Sequence, residues 1–99
     1  MKILQVVPRR DMEGKLSTHL NEKERELRGS RTTFYRKRPG RWAHKKYHGW
    51  IGWNEGKGGI LVAEVHSKPE SEWQLLQAFV GYLDRHLAEH IESMSISYR

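Results

Sequence analysis

Cysteine is absent from the 99 residues, which excludes disulfides, cysteine-based zinc ligation and thiol redox chemistry. Long apolar runs are missing too. No segment approaches the roughly 18 residues of a membrane span. The opening MKILQVVPRR holds a five-residue apolar run broken by Gln5, too short for a signal-peptide core. A soluble cytoplasmic protein with no membrane contact is expected. Apolar residues are scarce, at 36% against 30% charged, so one domain spanning 1–99 would have a modest core. A second copy could bury what one chain cannot, and a homodimer is expected.

Acidic residues are unevenly missing. Residues 1–58 carry 15 Lys/Arg against 6 Asp/Glu, a net +9, while 59–99 carry 3 against 6, a net −3. The positive half points to a polyanionic partner. Between 31 and 46 there are seven basic residues (Arg31, Arg36, Lys37, Arg38, Arg41, Lys45, Lys46) and no acidic one. Phe34, Tyr35, Trp42, Tyr47, Trp50 and Trp53 are interleaved with them or follow directly. Phosphates need cations and unpaired bases need flat π surfaces, so this pattern points to single-stranded nucleic acid held by the hairpin region 31–53. Tyr35 and Trp42 are the expected stacking rings. The plainer reading makes the rings core and the cations a wet face. No RNP, KH or helix-turn-helix signature accompanies the pattern.

The elements expected are β-(short helix or arm)-β-β-β-α-β, an α+β fold with a mainly antiparallel sheet of four or five strands and one long C-terminal helix on one face. Residues 3–7 form a strand stopped by Pro8. Residues 9–31 read either as a mobile arm or as a short helix capped at Ser17 or Thr18, closed by Gly29, with Leu16, Leu20 and Leu27 on one side. Residues 32–37 and 41–54 flank the Pro39-Gly40 turn as a hairpin. In the second run Gly49 and Gly52 mark a bend. If it were unbroken, Trp42, His44, Lys46, His48 and Trp50 would share a face. Residues 60–65 read as a strand buried on both faces.

Ser67 and Glu70 have capping-box spacing. Behind them Trp73, Leu76, Phe79, Val80, Leu83, Leu87 and Ile91 recur at helical intervals as an apolar face. Gly81, costly in mid-helix, implies a close backbone approach. Met94, Ile96 and Tyr98 alternate with serines as a final, half-buried strand.

Six histidines raise metal and catalytic readings. His86-Leu87-Ala88-Glu89-His90 matches H-x-x-E-H, with both His on one helix face, but only Glu92 follows as an acidic ligand. No metal and no cofactor are expected. His44 and His48 would project about 13 Å apart along a regular strand, too far to share an ion. Glu64 interrupts an apolar strand. It either takes a partner such as Arg36, Lys46 or His48, or marks with His66 the solvent side, and the second is expected. The Gly56-Lys57-Gly58-Gly59 turn opens a strand, unlike a phosphate-binding loop, which opens a helix. Three functions follow. The favoured one is non-enzymatic nucleic-acid binding. The second is a homodimeric interaction module whose exposed sheet face carries Trp42, Trp50 or Trp53, with His44, His48, Trp50, Trp53, Glu64 and His66 as candidate pocket or interface residues. The third is a small hydrolase or nuclease built on His44, His48 and Glu64.

Overall fold

In the computed structural model, which describes residues 1–28 and 33–99, six strands join one antiparallel sheet. They are β1 (Lys2–Pro8), β2 (Phe34–Arg38), β3 (Arg41–His44), β4 (Trp50–Glu55), β5 (Leu61–His66) and β6 (Ile91–Tyr98), with α1 (Leu16–Leu27) and α2 (Pro69–Leu87) between them. The spatial order is β2-β3-β4-β5-β1-β6. The α+β fold with its long C-terminal helix is as expected. The sixth strand arises because the run 41–54 breaks at 45–49 into β3 and β4.

The topology explains why one face is covered. All neighbours are antiparallel, so β1 and β2 run parallel, as do β5 and β6. Each parallel pair is joined through one helix. The two crossovers leave in opposite directions along the sheet from strands of opposite sense. Right-handed connections therefore deliver both helices to the same side. There the core forms: Leu4 and Val6 of β1, Leu61, Ala63 and Val65 of β5, Ile51 and Trp42 lie beneath Leu16 and Leu20 of α1 and Leu76, Phe79, Tyr82 and Leu83 of α2. Phe34 is edge-on to both Phe79 and Tyr82, and Trp42 to Tyr82.

Residues 16–27 form the helix rather than an arm, since Leu16 and Leu20 give it a buried stripe. Neither Ser17 nor Thr18 caps it. Lys15 is the N-cap residue, and Ser17 donates both its N–H and its Oγ–H to Glu55 on β4. The expected closing residue, Gly29, lies outside the described residues. The capping box at α2 does not form either. Lys68 is N-cap with no side-chain bond and Pro69 starts the helix, its fixed φ and missing N–H suiting that position, while Ser67 donates to the His48 carbonyl.

Three further expectations change. The strand 61–66 is buried on alternate residues only, because both described helices cover the other face. Trp73, placed by its spacing on the apolar face of α2, is 44% exposed. Gly81 meets no strand: a Cβ there would approach only the end of Arg85, at 3.6 Å.

Candidate nucleic-acid interface

Side chains on a strand alternate in direction, and directly paired residues share a face. The uncovered face can therefore be read from the register. Arg41 pairs with Gly52, Gly52 with Glu64 and Glu64 with Ile3, making one row across β3, β4, β5 and β1. Trp50 pairs with His66 in the next row. Tyr35 lies opposite Ala43 at the β2 edge of the same face.

Glycine shapes this surface at two points. A Cβ on Gly52 would come within 2.8 Å of the Trp50 ring, so its absence lets the indole lie over the strand. Gly49 has φ +108, and a Cβ there would meet the His66 carbonyl oxygen at 2.2 Å. Only glycine brings the 45–49 bend so close to the end of β5. The Ser67 hydroxyl bond to the His48 carbonyl fastens it there.

Around Trp50 the groups stack in sequence. The Arg41 guanidinium carbon is 4.0 Å from the ring centre, and the His66 ring is 4.0 Å away at 17°. These reach Trp50 from strands on either side of β4, so they occupy its two faces. His66 Nε2 lies 3.3 Å from a Glu64 carboxylate oxygen. Beside the stack Lys37, His48, Gly49, Ser67 and Lys68 join Trp50 and His66 in lining a cleft of about 570 Å³. Among the described residues no carboxylate lines it. The Arg41 charge sits over the indole in cation–π contact.

The sequence-predicted residues divide between the two faces. Tyr35, Lys37, Arg41, Trp50, Glu64 and His66 come together on the open one, with His48 at its rim; Glu64 and His66 do mark the solvent side. Trp42 does not join them. It is fully buried, paired with Ile51 under the helices, and a base cannot stack on it. Trp53 tilts against it at 5.2 Å. The expected common face for residues 42–50 is lost because the bend at 45–49 puts Trp42 and Trp50 on opposite sides. His44 faces the helices, edge-on to Phe34 and stacked on Tyr47, and its Nδ1 accepts the Lys46 N–H. Burial and then the nearby Lys46 charge hold its pKa below the usual histidine value. His44, His48 and Glu64 therefore do not assemble into a catalytic trio. Arg36 and Arg38 stand exposed on the β2 edge, where the Arg36 N–H reaches Glu24. Lys45 and Lys46 are exposed in the bend. Arg31 lies outside the described residues.

The histidine string 86–90 is also divided. The α2 helix ends at Leu87 and a 3-10 turn, Ala88–His90, follows, so His86 and His90 share no helix face. His86 lies edge-on to Tyr82 and His90 stacks on His19. Among the described residues no group of three or more His, Asp or Glu is placed to hold a metal ion. Sequence reasoning missed Lys68, which lies between Ser67 and Glu70 of the expected capping box and lines the cleft. The signal was its place between strand and helix, where β5 delivers it to the cleft.

Among the described residues no helix is long and apolar enough to cross a membrane. Comparison with protein-family models, with curated proteins and with solved structures returns no match to this chain.

Proposed function

We propose that this chain binds single-stranded nucleic acid on the open face of its sheet, with Lys37, Arg41 and Lys68 meeting phosphates and Tyr35 offering a ring to a base. The observation that carries the reading is the cleft beside the Arg41–Trp50–His66 stack, lined by Lys37 and Lys68 and, among the described residues, by no acidic one. Trp50, with both ring faces taken, serves as the platform that sets Arg41 and His66 rather than as the base-stacking ring. A flat sheet face with a basic rim suits an extended, unpaired strand, whose bases can turn toward the protein.

Phosphate neutralisation and stacking separate by salt. Affinity for a single-stranded oligonucleotide should fall with a log–log slope of about −0.7 per contacted phosphate. Replacing Lys37, Arg41 and Lys68 together by Gln should flatten that slope by about two units. Tyr35→Ala should lower affinity by roughly 1–3 kcal/mol and leave the slope unchanged. Fluorescence anisotropy across a salt series gives both quantities. A folded triple variant that matches the parent at every salt concentration would overturn the proposal.

A further inference from the structure

The two ends of the sheet are built differently. At one end β2 is short, carries Arg36, Lys37 and Arg38, and has a register shift between Arg36 and Arg38. Charge and irregularity of this kind deter pairing with another chain. At the other end β6 is eight residues long, IESMSISY, with one charge at Glu92. It pairs with β1 on one side, and no described strand lies on its other side. The Tyr98 side chain there is 70% exposed. Nothing in the strand guards this edge.

Above the edge lies a groove of about 410 Å³ between α2 and β6, lined chiefly by Trp73, Gln77, Val80, Asp84, Met94 and Ile96, with Gly81 as its gap. Residues 73, 77, 80 and 84 follow a 4-3-4 spacing, the seam along which one helix receives another.

We infer that a second copy of this chain docks here, its β6 antiparallel to the first about a two-fold axis at Ser95. Paired residues must share a face, so the two partners' numbers sum to an even value. Centring on Ser95 sets Met94 against the partner's Ile96 on the helix side, twice over, and Ser93 against the partner's Ser97 on the open side. Glu92 then meets the Tyr98–Arg99 end of the other strand, so unlike charges approach at both ends. Because α2 runs antiparallel to β6, the same axis lays α2 along its symmetry mate. The exposed Trp73 then falls over the partner's Gly81, where no Cβ fills the space and Asp84 can accept the indole N–H.

Size is consistent with this. An edge about 26 Å long on a molecule 21 Å thick presents a projected face of roughly 500 Å². Interdigitated side chains raise that toward the ~800 Å² per partner of a stable pair. The resulting twelve-stranded sheet has both helix layers on one side and both open faces on the other. The dimer edge lies at the far end of the sheet from β2, so this inference stands or falls apart from nucleic-acid binding.

Gly81→Lys tests it without threatening the fold. A better helix former replaces the glycine, the space above is open, and the new side chain occupies the slot for the partner's Trp73. In sedimentation equilibrium at about 100 µM the parent should have twice the 11.7 kDa chain mass, a concentration at which a pair with micromolar Kd is mostly associated. Gly81→Lys should have the single-chain mass with the same circular dichroism. Ser95→Cys, the only thiol in its chain, should form a disulfide-linked dimer on mild oxidation, since directly paired strand residues lie within disulfide reach. A monomeric parent overturns the inference, as does a mass that climbs without limit. A dimer indifferent to Gly81→Lys, or one that leaves Ser95→Cys uncrosslinked, places the interface elsewhere and overturns it equally.

Discussion

Tyr82 carries a hydroxyl into the core, and among the described residues it has no hydrogen-bond partner. Burial, and then the negative charge of Glu24, push its pKa up to about 12. The unfolded chain ionises the phenol near 10 while the folded chain resists. Stability should therefore be intact below pH 10 and fall as pH rises from 10 toward 12. Tyr82→Phe removes a buried polar atom and keeps the ring contacts with Phe34 and Trp42. Urea unfolding at neutral pH should show the variant as stable as the parent or more so, with a shallower alkaline decline. A loss above about 1 kcal/mol would mean that the hydroxyl has a partner. At this scale the sequence was only half legible. It named Tyr35, Arg41, Trp50 and His66, which share the open face, yet it chose Trp42 over Trp50 as a stacking ring. Their difference comes from Gly49, whose positive φ turns the chain between them, and from Gly52, whose missing Cβ makes room for one ring.

Among the elements, α2 is the one whose identity its apolar spacing established, and its interior carries the clearest stability prediction. Leu83 is 1% exposed among core residues of both helices and the sheet. Leu83→Ala should cost about 2–5 kcal/mol in chemical denaturation, as expected where the surroundings cannot close the cavity. Less than half a kcal/mol would remove α2 from the core. The ends of the helices were less legible than their middles, because capping depends on what else a side chain can reach. Ser67 bonds the bend at His48 and Ser17 bonds Glu55, so both serve tertiary contacts in place of the helix start. The split of residues 41–54 into two strands was signalled by Gly49, but its consequence was not. A bend of five residues reverses which side chains face the helices, and alternation counted through it fails. Trp73 matched the apolar period of α2 because 73 and 76 are three apart. Only the position of β6 decides that Leu76 is covered and Trp73 is left at the edge.

Across the whole molecule, groups on opposite ends of the core make stability depend on pH in two separate steps. His44, half-buried beside Phe34 and Tyr47, and His86, half-buried beside Tyr82, both have pKa values held below the usual 6.5. Burial is the main cause in each, reinforced by Lys46 at the first and by Arg85 and Lys23 at the second. A lowered histidine means that the unfolded chain takes up the proton first. Stability is then full above the unfolded value of 6.5 and declines as pH falls through it toward the folded value. Glu72 acts lower on the scale. The hydrogen bond from Lys2, 3.0 Å long, holds its pKa below 4.5, so its contribution is present above 4.5 and is lost as pH drops further. Melting temperature measured against pH should therefore show two descending limbs on the acid side, one beginning near 6.5 and one below 4.5. His44→Gln with His86→Gln should flatten the first and spare the second, while Lys2→Met should reduce the second and spare the first. These assignments require the steps to respond separately. A double histidine variant that keeps the full first limb would overturn the assignment of that limb to His44 and His86.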